Sequence, residues 1–258
     1  MSNLGSLTLT STKGKYMSGL NAKNVPMTGG NDNNRPDPLD AGSYPARLVQ
    51  VILLGIQPQR PYKGEDKPPK LEIMLTYEFL DEFLKDEEGN DIEDKPRWLS
   101  ETLPFNNLDA DLAKSTKRYY ALDANAEHDG DWAELVGTPC MVTVVQNEGS
   151  GKNAGKIYEQ ISAVSAMRPK EAAKAPELVN PPKVFDFYAP DMTIFLSLPK
   201  WLQDKMKDAL DYGGGALERA VQGQGEGKVG EGSPRETKAS GKPKKAPKDE
   251  VEDDEIPW

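Results

Sequence analysis

Three short stretches of this 258-residue chain place flat rings among cations. The first holds Arg60, Tyr62, Lys63, Lys67 and Lys70; the second is the pair Arg97 and Trp98; the third holds Lys152, Lys156 and Tyr158. An aromatic face stacks a nucleobase for about 1–3 kcal/mol with little sequence preference, because every base offers a π-face. A neighbouring ammonium or guanidinium attracts phosphate, which makes such binding salt-sensitive. Arg47, inside an apolar run, adds a further candidate cation. These residue types suit non-covalent capture of a single-stranded nucleic acid.

Covalent chemistry has less to work with. His128 is the only histidine and Cys140 the only cysteine, so a zinc site or a Cys–His nucleophile pair would need distant partners in unmatched spacing. The acidic run at 86–94 has a glycine but lacks the later glutamate and ligand spacing of a calcium loop. No GxxxxGK[ST] phosphate cradle occurs. These observations predict a non-enzymatic protein with no cofactor and no metal. A lone cysteine excludes an internal disulfide framework and suits a reducing compartment. With no apolar run near 18 residues and no charged-then-apolar leader, the chain is expected to be soluble, without a membrane partner, and not secreted.

The net charge of −10 is unevenly spread. DEFLKDEEGNDIED at 81–94 carries about −7 and the last ten residues about −6, so the remainder is near +3. Surfaces outside those two patches are left to be basic.

The elements that would position the rings follow from periodicity. Residues 1–40, rich in Gly, Asn, Ser, Thr and Pro, read as an irregular arm. YPARLVQVILLG at 44–55 reads as a strand ending at Gly55, and four prolines make 57–69 a long loop. KLEIMLTYEF at 70–79 alternates, with Leu71, Ile73, Leu75, Tyr77 and Phe79 on a core face. The acidic stretch is then a hairpin connection, and PRWLSETLPF at 96–105 returns with Leu99, Leu103 and Phe105 inward and Trp98, Ser100 and Thr102 outward. Helical spacing over 109–122 puts Leu112, Thr116 and Tyr119 or Tyr120 on one side, and 131–137 reads as a short helix closed by Gly137. Strands at 140–148 and 156–167 form a second hairpin.

Three strands, a helical insert and two strands give a mainly β class. That order is the one of an OB-fold, a five-stranded Greek-key barrel with its helix between strands three and four, here spanning 41–168. Residues 169–182 read as a linker and 183–212 as an amphipathic helical segment. There Ser197 is an N-cap, Pro199 lies in the first turn, and Trp201, Leu202, Met206, Ala209 and Leu210 share a face. Such a helix either packs back on the barrel or serves a partner or self-association, which leaves a homo-oligomer open. The Gly, Lys, Glu and Pro composition of 213–258 predicts a disordered tail with an acidic tip.

The ending DDEIPW resembles the tip of bacterial single-stranded-DNA-binding proteins, which close on aspartates followed by Ile-Pro-Phe. Here Glu255 replaces one aspartate and Trp258 the phenylalanine. YPARLVQVILLG, KPRWLS and LVGTPCMVTV also resemble single-stranded-DNA-binding proteins encoded by tailed phages. The resemblance implies a protein of the bacterial host's cytoplasm that coats single-stranded DNA during phage replication, recombination or repair. It also implies that Asp253, Asp254, Glu255, Ile256, Pro257 and Trp258 enter a basic-rimmed apolar pocket on replication or recombination proteins. The alternatives are a protein–protein adaptor on the same barrel without DNA affinity, and a metal-dependent nuclease using Asp and Glu clusters.

Overall fold

A computed structural model describes residues 36–225 of the chain. The sequence readings of 1–35 and of 226–258, the acidic tip among them, lie outside the described residues. Five strands follow the expected order: β1 Gly42–Gln57, β2 Lys70–Lys85, β3 Asp91–Pro104, β4 Pro139–Glu148 and β5 Ile157–Ala166. They form an antiparallel path β3-β2-β1-β4-β5, and a sixth strand, β6 Lys183–Phe185, runs parallel to residues 50–52 of β1. The path curls until its outer strands meet, with Arg97 Nη2 on β3 lying 2.5 Å from Glu159 Oε1 on β5. The architecture is mainly β and barrel-like.

The strand limits depart from the sequence reading most at the end of β1 and around the acidic connection, each for a local reason. Gly55 does not end β1; at φ +76° it forms a bulge, and the register with β2 shifts between Leu53 and Ile56. A Cβ there would stand 2.8 Å from Asp211 Oδ1 and 2.8 Å from Phe187 Cζ, so only glycine fits. Asp211 uses that gap to accept the Ile56 amide at 2.8 Å. The acidic connection is mostly strand: Leu84 pairs with Ile92 and Lys85 with Asp91, and the turn narrows to Asp86–Asn90. Asp86 Oδ1 accepts the Glu88 and Asn90 amides at 3.1 and 2.7 Å. Carboxylates do not prevent pairing where the ribbon leaves them exposed to water.

Inside the curl, Leu48, Val51, Ile73, Leu75, Tyr77, Phe79 and Leu103 pack against Tyr119, Leu122, Trp132 and Leu135 and against Val142, Val144, Ile161 and Val164. Tyr77 and Phe79 lie in the core, as their alternation predicts. The insert contributes a helix α1, Lys114–Leu122, and a 3-10 turn at Ala133–Leu135. α1 starts later than 109, because Asn107 captures the chain: its side chain accepts the Asp109 amide at 2.9 Å and its carbonyl the Ala110 amide at 3.0 Å. Leu112, expected inward, is 83% exposed, whereas Thr116 and Tyr119 are buried as read. Arg118 on α1 donates Nε to Glu101 Oε1 on β3 at 2.7 Å and Nη2 to Glu101 Oε2 at 3.1 Å and Ser162 O on β5 at 3.3 Å. The Tyr77 hydroxyl donates to the same Glu101 Oε1 at 3.3 Å, so one ion pair ties β2, β3, β5 and α1.

A second layer covers the outer face of β1 and β2, where the sequence reading placed a linker, one helix and a tail. Residues 169–182 begin with a turn of helix, α2 Pro169–Ala172, and continue as a strap bound at both ends. Glu78, 1% exposed, accepts from Val179 N, Asn180 N and Asn180 Nδ2 at 2.7, 3.0 and 2.6 Å. Arg47 holds the other end by donating to the Ala175 and Pro176 carbonyls.

β6 follows, then two short helices, α3 Met192–Ser197 and α4 Lys200–Lys207, separated by Leu198 and Pro199. Ser197 ends α3, Asp191 caps it, and Pro199 is the N-cap of α4. Leu202, Met206 and Ala209 are buried at i, i+4 and i+7, while Trp201 and Leu210, assigned to the same face, are 61% and 62% exposed. The predicted disordered tail also starts too early, because α5 occupies Ala216–Gly225 and Leu217 is fully buried. Phe185, Phe187, Phe195, Leu202, Met206 and Leu217 pack on Ile52, Leu54 and Met74. The segment therefore packs back on the strands. Among the described residues, no helix is long and apolar enough to cross a membrane.

Candidate nucleic-acid interface

Trp98 stands opposite Glu78 in the β2–β3 ladder, and its ring is 51% exposed on the outer face. The alternation that sends Leu99 and Leu103 inward leaves Trp98, Ser100 and Thr102 outward, as predicted. Ser100 is tied to Thr76 by a 2.9 Å hydroxyl–hydroxyl bond. A shallow cleft of about 420 Å³ runs past the ring, lined also by Lys95, Pro96, Arg97, Glu159 and Asn180. Arg97 reaches this cleft with its charge already engaged by Glu159 and with Nη1 donating to Asp37 O at 2.8 Å. Its first task is to hold β3 to β5. Lys95 is an exposed cation of the same strand that the sequence reading passed over; a period of two assigns it to the face opposite Trp98, and it reaches the cleft where the β2–β3 register is irregular. Asn180 had no such signal, since only the strap brings it there.

The β1–β2 loop builds a second aromatic–cation group. Tyr62 and Glu65 exchange backbone hydrogen bonds of 2.9 and 3.0 Å around a turn in which Lys63 and Gly64 have φ of +53° and +86°. Lys67 Nζ lies 4.5 Å and Lys63 Nζ 5.3 Å from the centroid of the Tyr62 ring, which is itself 53% exposed. Arg60 and Lys70 are exposed on either side. Glu65 and Asp66 offset part of this charge. Lys70 pairs with Gln57 at the start of β2, and Trp98 pairs eight residues further along, at Glu78. At about 3.3 Å per residue the two groups are about 26 Å apart along the strand.

The third group belongs to the β4–β5 hairpin. Tyr158 faces Asn147 in that ladder and is 37% exposed. Its ring lies so near Gly149 that a Cβ there would be 2.8 Å from Cε2. Lys156 is exposed at the foot of β5, and Lys152 belongs to a 3-10 turn, Gly151–Asn153. Tyr158 directly precedes Glu159, the partner of Arg97, so its backbone adjoins the seam, while the alternation of β5 turns its ring to the face opposite Glu159.

Arg47 is not part of this surface. It is 8% exposed, and its guanidinium donates to Pro176 O at 2.6 Å, Gly137 O at 2.6 Å and Ala175 O at 3.0 Å, with Glu177 Oε1 3.4 Å away. Nothing in its sequence context, an apolar strand, distinguishes such a strap anchor from a phosphate ligand.

His128 Nδ1 lies 3.6 Å from Glu134 Oε2. No group of three or more His, Cys, Asp or Glu could hold a metal among the described residues. Burial pushes the Cys140 thiol up to about 12, a rise that Arg118 and Arg47 only partly oppose. The thiolate is the reactive form, so the folded protein is expected to resist a disulfide reagent such as Ellman's at pH 8. In denaturant one thiol per chain should react at once; rapid reaction of the native protein would contradict this burial. No family model, curated protein or solved structure matches this chain.

Proposed function

We propose that the chain is a single-stranded-DNA-binding protein whose curled strands form an OB-fold barrel. β1 is shared between β2 and β4, α1 lies between β3 and β4, and β3 meets β5, which is the arrangement such a barrel requires. The observation that carries the functional reading is Trp98, a large ring exposed at a cleft that Lys95 also lines, instead of packed in the core. Tyr62 with Lys63 and Lys67, and Tyr158 at the seam, extend the path for a strand whose bases stack and whose phosphates meet cations. The protein coats unpaired DNA in the cytoplasm of a bacterial host during phage replication or recombination. Its last six residues, Asp253 to Trp258, recruit partner proteins by offering acids and an apolar tip.

Fluorescence anisotropy of a labelled oligo(dT) tests this. The affinity is expected to fall by about tenfold or more between about 50 and 200 mM salt, as counterions released by the phosphates are driven back. An absence of binding at both salt concentrations would overturn the proposal in favour of a protein adaptor.

A further inference from the structure

We infer that Asn180 determines specificity for the base stacked on Trp98, and that this position favours a base carrying an amino group at pyrimidine position 4 or purine position 6. The inference rests on the single-strand reading above and adds to it a preference at one nucleotide. Glu78 lies directly across the β2–β3 ladder from Trp98, so the two side chains share the outer face with Cβ atoms about 4.5–5.5 Å apart.

Three N–H donors converge on the Glu78 carboxylate, which has only lone pairs to offer. The amide nitrogen of Asn180 must therefore face Glu78, and its carbonyl oxygen Oδ1 must face away. Among the described residues Oδ1 accepts no hydrogen bond. Asn180 and Trp98 line the same cleft. The residue is held through both its backbone amide and its side chain, so Oδ1 is an acceptor already fixed in place beside the stacking ring. Cytosine and adenine direct an amino donor from that edge, whereas thymine and guanine direct a carbonyl oxygen. A carbonyl facing Oδ1 is repelled.

The test compares oligo(dC) with oligo(dT), two pyrimidines of equal ring size, on the full chain and on Asn180→Ala. One neutral hydrogen bond predicts that the parent binds oligo(dC) about three- to tenfold more tightly. The variant should lose that preference chiefly by losing oligo(dC) affinity, and should bind oligo(dT) no more weakly than the parent, since Oδ1 no longer faces the thymine carbonyl and Glu78 retains the Val179 and Asn180 backbone amides. A third probe, oligomeric N4,N4-dimethyl-2′-deoxycytidine, removes the donors without touching the protein and should bind the parent no better than oligo(dT). A dC preference that survives either change overturns the inference, as does equal binding of dC and dT by the parent. Failure of the parent to bind either homopolymer would instead sink the single-strand reading itself.

Discussion

Replacing Trp98 with alanine is expected to weaken oligo(dT) binding by about 5- to 150-fold, the equivalent of one lost stacking partner at about 1–3 kcal/mol. The ring is 51% exposed and projects from the outer face, so the thermal transition should be nearly unmoved. The size of the effect depends on Trp98 being the largest exposed ring of the β2–β3 face. Tyr62 and Tyr158, at 53% and 37% exposure, remain to hold other bases, so residual binding is part of the expectation. Anisotropy titration beside a melting curve separates the outcomes. Full affinity would remove Trp98 from the interface, and a collapsed transition would make it a packing residue.

Arg118→Ala is expected to be the most damaging single change to the fold. It leaves Glu101 on the inner side of β3, where the pair's side chains are 6% and 11% exposed. An uncompensated charge in such a place costs about 3–5 kcal/mol. At about 2–4 °C per kcal/mol for a domain of this size, the unfolding midpoint should drop by about 6–20 °C. The same substitution removes the tie to Ser162 O on β5, so the loss should be visible in the seam as well as in α1. Pairing Arg118→Met with Glu101→Gln removes both charges and should recover much of the stability, because the cost arises from the orphaned partner. A midpoint for the single variant within about 2 °C of the parent would contradict this account.

β2 was legible because one of its faces meets the inner core: Ile73, Leu75, Tyr77 and Phe79 alternate, and their burial follows the pattern. β1 announced itself as an apolar run for a different reason, being covered on both faces, and that same reason was unreadable until the second layer was seen. Met74 and Glu78, on the supposedly solvent-facing side of β2, are buried beneath the C-terminal segment. A pattern of two reports which residues share a face, not what will cover the other face.

The C-terminal segment was misread in its parts and not in its attachment. Leu202, Met206 and Ala209 do form a buried stripe, but Trp201 is about 100° around the helix from Leu202, and Leu210 lies beyond the end of α4, so both turn outward. Of the candidate binding residues, those on loops and outward strand positions were read from chemistry and alternation. Arg47 and Asn180 were not, because each is placed by the strap, a long-range contact that no local spacing encodes.

Photocrosslinking with an oligonucleotide containing 5-iododeoxyuridine, followed by mass spectrometry of the adducts, tests most directly that nucleic acid lies across this face. The account predicts adducts on the peptide bearing Trp98, accompanied by adducts at Tyr62 or Tyr158. Adducts confined to the exposed rings of the second layer, Trp201 and Tyr188, with none on β3, would contradict it.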